Sequence, residues 1–201
     1  MKTLEFLKIA LKNYKRVGAF ASTSRFTINR VLKELRSCKF IVEYGAGTGV
    51  MTRALLKELP HDGRLIAVEI DKNFLKELHT INDRRLTIIE GDVVHISQRL
   101  RSLGLPEIDA VISSVPFSLM EKSEREAVIR NTAASLRYGG IFCIYHQYTL
   151  WTVPILKRLF KKVVIDFELF NLFPCFIIHA GATTSPTPLG MSRLGTRPRT
   201  N

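Results

Sequence analysis

Apolar positions along the chain change their period at residue 39. Before it they recur with helical spacing. Set at 100° per residue, Leu4, Phe6, Leu7, Ala10, Leu11, Tyr14 and Val17 fill one arc, and Lys2, Glu5, Lys8, Lys12, Lys15 and Arg16 fill the opposite one; Ile9 alone is misplaced. The pattern predicts a basic amphipathic helix over 2–17. Such a helix packs on its own domain with a solvated charged face, or lies in a membrane interface. Gly18 ends it. Ser22, Thr23 or Ser24 can cap a second helix, whose apolar positions include Phe26, Ile28, Val31, Leu32 and Leu35.

From residue 39 short β-prone runs alternate with helical ones. The spacing predicts strands near 39–44, 64–70, 86–90, 108–114 and 140–147, and helices near 49–59, 72–80, 94–103, 121–137 and 151–161. This alternation implies an α/β fold, Rossmann-like and doubly wound, with a mostly parallel sheet covered on both faces. Residues 162–180 break the rhythm. KKVVIDFELF and CFIIHA flank a short turn and read as a hairpin, placing an antiparallel element at the sheet edge. The tail, 181–201, is rich in Gly, Ser, Thr and Pro and is expected to be disordered. The expected organisation is an N-terminal basic segment 1–37, a domain 38–180 and the tail.

Charge sharpens that division. Of the net +12, residues 1–37 carry +7, residues 181–201 carry +3, and everything between only +2. A basic N-terminal segment points to an anionic partner, either a membrane surface or nucleic acid. No run approaches the roughly 18 apolar residues that span a bilayer. Lys8, Lys12, Lys15 and Arg16 interrupt any signal-peptide core. Cys38, Cys143 and Cys175 lie far apart, which fits buried thiols in a reducing compartment better than disulfides or a metal.

The candidate chemistry begins at 43-EYGAGTGV-50. A strand running into a glycine turn and a helix lets a ligand approach bare backbone and the positive end of the helix. Dinucleotides and S-adenosylmethionine both use this arrangement. A dinucleotide site needs G-x-G-x-x-G; here the glycines are Gly45, Gly47 and Gly49, with Val50 where the last dinucleotide glycine falls. Glu43 would repel a pyrophosphate and suits a ligand with an ammonium group. Glu69, at the end of the second strand, can accept from ribose hydroxyls, or it is a surface charge before Asp71, the cap of the next helix. Gly91-Asp92 ends the third strand, where the aspartate can reach an adenine amino group with Val93 against the ring.

These residues, with the motif after the fourth strand, resemble the class I S-adenosylmethionine-dependent methyltransferases over residues 39–180. The resemblance implies a seven-stranded sheet with one antiparallel strand. It also implies S-adenosylmethionine as cofactor, held by Glu43, Gly45, Ala46, Gly47, Thr48, Gly49, Glu69, Ile70, Gly91, Asp92, Val93 and Ser113. Tyr44 stands where many members carry Leu, Gly or Asp. In members that methylate base amines the fourth-strand motif reads Asn/Asp-Pro-Pro-Tyr; here Ser114-Val115-Pro116-Phe117 takes its place, without the Asn. The spacing is distantly similar to the rRNA adenine dimethyltransferases. A fuller resemblance, through 18-GAFASTSRF-26, 43-EYGAGTG-49, 113-SSVPF-117, 147-QYT-149 and 171-NLFPCFI-177, is to the bacterial phospholipid N-methyltransferases.

That likeness implies methylation of the amine of phosphatidylethanolamine and its methylated products, towards phosphatidylcholine. The enzyme would be cytoplasmic and peripherally bound to an anionic membrane through residues 2–17, with no protein partner implied. Ser24 and Arg25, at a helix start, are candidates for the lipid phosphate, and simple capping is the alternative for the serine. Phe117 beside Pro116, together with Tyr148 and Trp151, is a candidate aromatic cage for the methylammonium, with core packing as the alternative. His146 and Tyr148 are candidates for taking the amine proton, and His146 serves equally well as a core histidine. Three other functions are alternatives: an RNA adenine N-methyltransferase, a non-catalytic membrane- or RNA-binding protein on the same fold, and a dehydrogenase, which the glycine spacing disfavours.

Overall fold

A computed structural model describes residues 23–169 and 174–181, with the backbone alone at His146. The proposed helix over 2–17, the Ser22 cap, the turn residues 171–173 and the tail beyond 181 lie outside the described residues. Seven strands form one sheet: β1 (Phe40–Tyr44), β2 (Arg64–Glu69), β3 (Leu86–Glu90), β4 (Ile108–Ser113), β5 (Leu136–Gln147), β6 (Lys162–Glu168) and β7 (Cys175–Gly181). Their order is β3-β2-β1-β4-β5-β7-β6. β7 runs antiparallel to both β5 and β6, and every other neighbouring pair is parallel. The sheet is therefore mostly parallel with one antiparallel strand, as the sequence pattern and the family resemblance predict. One detail sharpens: β7 is inserted between β5 and β6, so β6 is the edge strand.

Helices cover both faces because the central strands are apolar on both sides. α1 (Arg25–Glu34), α2 (Val50–Glu58) and α3 (Lys72–Leu78) lie on one face. There Val31, Leu35, Met51 and Leu55 bury against Ile41, Ala110, Ile112, Cys143 and Tyr145. α4 (Val93–Gln98), α5 (Lys122–Ser135) and α6 (Val153–Leu159) cover the other face, over Val42, Tyr44, Val111, Phe142 and Ile144. Tyr44 contributes its ring to this core, and its hydroxyl shares a hydrogen bond with Thr132 Oγ1 at 3.2 Å, so its departure from the family pattern is a packing choice. The three thiols are free and buried.

Two boundaries differ from expectation. β5 starts at Leu136, not near 140, because α5 ends at Ser135 and Leu136 is already extended. Within β5, Gly139 turns the chain at φ +74°, and the β4–β5 register jumps from Ile108–Leu136 to Ala110–Ile141. Asp109 sits inside that bulge: its Oδ2 accepts from the N–H groups of Lys39 and Phe40, both at 2.7 Å, and its Oδ1 pairs with Arg137 Nε. The bulge thus ties β4, β5 and the start of β1 together. The helix expected over 94–103 is two pieces, α4 and a 3₁₀ turn at Leu100–Ser102.

Candidate active site

β1 and β4 are neighbours whose connections leave in opposite directions. Beyond their carboxyl ends the strand order reverses, the place where open α/β sheets form their ligand crevice. The glycine turn follows β1 there. Gly45 N–H and Ala46 N–H both donate to Val68 O (2.9 and 3.1 Å), and Gly47 N–H donates to Glu69 Oε2 at 2.8 Å. The three glycines serve different ends. A Cβ on Gly47, where φ is +56°, would meet no protein atom within 4 Å. At Gly45 it would press on Ser114 Oγ and Val115 Cγ2, both 3.1 Å away, and at Gly49 on Arg53, Ile81 and Leu78 at 2.8–3.0 Å. Gly45 and Gly49 are bare so that protein can pack on them; Gly47 is bare over open space.

Two acids flank the turn. Glu43 is fully buried, and its Oε2 accepts a 2.6 Å hydrogen bond from Thr52 Oγ1 on α2. Its Oε1 is buried with no partner. Burial pushes this carboxyl up to about 8; the Thr52 bond opposes the rise and Glu69 adds to it. Glu69 is also buried, and burial raises its carboxyl against the pull of three backbone donors. Gly47 N–H donates to Oε2, and Ile70 N–H and Asp71 N–H donate to Oε1, each at 2.8 Å. Asp71 caps α3 through Asn73 N–H.

The remaining residues of the predicted cofactor set lie along the same edge. Gly91 N–H donates to Glu69 O at 3.0 Å, so β3 ends beside β2, and Asp92 caps α4 by accepting from Val94 N–H at 2.8 Å. Val93 is buried and joins the core under α4. Ala46 packs with Ala67 and Leu75, and Thr48 O accepts from Arg53 Nη1. Ser113, at the end of β4, is buried, and its Oγ accepts from Val115 N–H at 3.2 Å.

The segment after β4 is held from three sides. Ser114 N–H donates to Tyr44 O at 3.1 Å, and its hydroxyl donates to Gly45 O at 2.7 Å and contacts the Tyr145 hydroxyl. Gln147, buried at the end of β5, donates from Nε2 to Val115 O (3.0 Å) and Tyr145 O (3.1 Å). Arg125 Nη1 donates to Phe117 O (3.2 Å) and Met120 O (3.4 Å), while its guanidinium lies 5.6 Å from the Trp151 ring centre. Sequence reasoning singled out none of Thr52, Gln147, Arg125 and Tyr145 for these roles. The available signal was polarity out of place: Thr52 sits among Met51, Leu55 and Leu56, and Gln147 follows the apolar run Ile141–Tyr145.

The acceptor-side predictions need correcting. Phe117 is not open for stacking. After Pro116 the chain turns into a short 3₁₀ helix, Phe117–Leu119, which sends the ring into the core; it is 0% exposed and edge-on to Phe142 at 6.4 Å. A cage with Tyr148 and Trp151 is therefore not formed, for those two stand 43% and 59% exposed beyond β5. Ser24 caps α1, accepting from Thr27 N–H at 3.2 Å, and the Arg25 guanidinium rests 5.1 Å from the Phe26 ring centre. The side chain of His146 lies outside the described residues.

With this geometry in place, likeness to known proteins decides the family. Residues 41–140 match the family model described as a methyltransferase domain. The chain is 29% identical over 153 residues to an ornithine lipid N-methyltransferase of Singulisphaera acidiphila, covering 75% of this chain and 79% of that one. The O-methyltransferase TomG of Streptomyces achromogenes, solved with S-adenosylmethionine, superposes with a TM-score of 0.65 at 15% identity, over 90% of each chain. The chain is a class I S-adenosylmethionine-dependent methyltransferase. A probable ribosomal RNA small subunit methyltransferase A of Methanospirillum hungatei is 31% identical over 88 residues, only 41% of this chain and 30% of that one. S-adenosylmethionine is the cofactor, and the residues present fit it. A buried carboxylate oxygen lacks a protein partner, and the turn at Gly47 leaves space that any side chain would fill.

Proposed function

We propose that this methyltransferase acts on the amine of a membrane lipid, phosphatidylethanolamine and its partly methylated products, at the membrane surface. The observation that carries the reading is the extent of the likeness. The match to the lipid N-methyltransferase runs through three quarters of this chain, whereas the RNA methyltransferase of Methanospirillum hungatei shares less than half of it.

In this reading Glu43 Oε1 holds the ammonium of the cofactor's methionine part, and Glu69, with acceptor capacity left on Oε2, takes a ribose hydroxyl. Gly47 gives the cofactor its closest backbone approach, and Asp92 and Val93 address the adenine. When bound, S-adenosylmethionine supplies a methyl group on a positively charged sulfur that an amine lone pair can attack. The chain's own part is placement and exclusion of water. Ser114 and Gln147 fix the segment after β4 against the glycine turn, through Gly45 O and Val115 O. Tyr148, exposed just beyond β5, and His146 remain the candidates for receiving the amine proton. The basic N-terminal segment, +7 over residues 1–37, supplies attraction to anionic headgroups at roughly 1 kcal/mol per Lys or Arg near the surface.

RNA is the second reading, favoured by the match to a ribosomal RNA methyltransferase over 41% of this chain. It is weakened at position 114, where the hydroxyl that replaces the family's Asn is already donated to Gly45 O. Vesicles containing phosphatidylethanolamine, incubated with enzyme and labelled S-adenosylmethionine, should yield mono-, di- and trimethylated headgroups. An unchanged lipid pool, with the cofactor bound, would rule the substrate out.

A further inference from the structure

The edge of the sheet that carries the glycine turn also carries an apolar rim. Nine large apolar side chains are exposed among the described residues, and six of them gather at this edge: Phe26, Tyr148, Leu150, Trp151, Phe167 and Leu169. The topology explains why they meet. β5 and β6 both end here, and β7, between them, begins here. Phe176 on β7 lies opposite Gln147 of β5 and opposite Phe167 of β6, with the two phenyl rings 5.2 Å apart. α1 starts at the same edge, for Arg30 bonds Glu168 at the end of β6 (2.7 Å), and Phe26 is one turn further out.

Folding does not account for such exposure. Trp151 at 59% and Leu169 at 61% leave apolar surface in water, which monomeric proteins rarely gather in one place without use. The chemistry of the rim names the partner. Both guanidinium–aromatic pairs among the described residues stand on it, Arg25 over Phe26 and Arg125 over Trp151. An aromatic ring with a cation beside it suits the boundary between acyl chains and anionic headgroups, where the ring is half-buried and the cation faces phosphate.

We propose that this rim is a second membrane-docking surface, built into the folded domain, that seats the carboxyl edge of the sheet in the headgroup layer of an anionic bilayer. The proposal rests on the lipid reading and adds an orientation to it: the crevice opens onto the membrane, and the acceptor amine reaches it without leaving the bilayer surface.

Trp151 is the chain's one tryptophan, so the full-length protein carries its own probe. With vesicles of phosphatidylglycerol and phosphatidylcholine, its emission should shift to shorter wavelength and be quenched by brominated acyl chains. With phosphatidylcholine alone it should not. Leu169→Glu and Phe167→Glu, both at exposed positions, should each raise the lipid concentration for half-binding about tenfold or more, with far-UV circular dichroism unchanged. Co-sedimentation with vesicles while Trp151 emission stays fixed would overturn the proposal, as would failure to bind anionic vesicles, or a shift with RNA in place of lipid. Methyl transfer to a short-chain lipid dissolved as monomers separates the two ideas. Transfer without rim insertion removes the docking surface alone; rim insertion without transfer to any lipid amine removes the substrate reading alone.

Discussion

Replacing Glu43 by Gln tests the least ordinary feature of the site, a fully buried carboxyl with one oxygen unpartnered. In the unfolded chain a glutamate titrates near 4.3; in the folded, ligand-free protein burial holds Glu43 at about 8. Between those values the folded state keeps a proton that the unfolded state has lost, so stability falls as pH rises through the window. The loss amounts to on the order of 4 kcal/mol by pH 8–9. His179, pushed down by burial, acts in the opposite sense, so the informative quantity is the difference between wild type and variant. Thermal melts of ligand-free protein from pH 5 to 9 should converge on a stability advantage for Glu43→Gln at the alkaline end and little difference at pH 5. Cofactor affinity should move the other way. Losing one partner of a buried charge pair costs about 2–5 kcal/mol, so the calorimetric Kd should rise by thirtyfold or more. Binding to wild type at pH 7 should also release protons, seen as a heat that depends on the buffer. Parallel melting curves, with a Kd changed less than threefold, would refute the reasoning.

Other substitutions report on separate parts of the account. Gly47→Val meets no protein atom within 4 Å of its Cβ, so the fold should survive with a backbone penalty of about 1–2 kcal/mol while cofactor binding falls at least a hundredfold by calorimetry. Asp109→Ala leaves two backbone N–H groups and Arg137 without their acceptor; urea unfolding should show a loss of roughly 3–5 kcal/mol, with cofactor affinity of the remaining folded protein unchanged. Gln147→Ala frees the segment after β4; kcat should fall about tenfold or more with cofactor Kd little altered, since Gln147 bonds Val115 O and Tyr145 O and no residue of the glycine turn. Deleting residues 1–17 should weaken binding to anionic vesicles, read by sedimentation, and leave cofactor affinity intact.

The parallel sheet was legible because each strand is a short apolar run followed by a helical pattern, and periodicity reports both. The glycine turn and the acids beside it were legible for a different reason: glycine spacing and acids at successive strand ends are local in sequence, and the fold only brings them to one edge of the sheet. What stayed hidden depends on direction and distance. Nothing in 113–117 says that Phe117 turns inward while Ser114 donates to Gly45; that follows from a 3₁₀ turn after Pro116. The early start of β5 was missed because a bulge at Gly139 absorbs the residues that a regular strand would not have. Thr52 bonds Glu43 one strand-to-helix turn back, a pairing that only the turn's geometry creates, and Gln147 bonds backbone carbonyls, which leave no mark in the sequence.

The central claim is that the methyl group goes to a lipid amine. Its most direct test is labelled methyl transfer by the full-length enzyme in one mixture holding phosphatidylethanolamine vesicles and unmodified ribosomal RNA. The account predicts label in the lipid headgroup, rising with the anionic lipid content of the vesicles, and none in the RNA; label in the RNA with an unlabelled lipid fraction would contradict it.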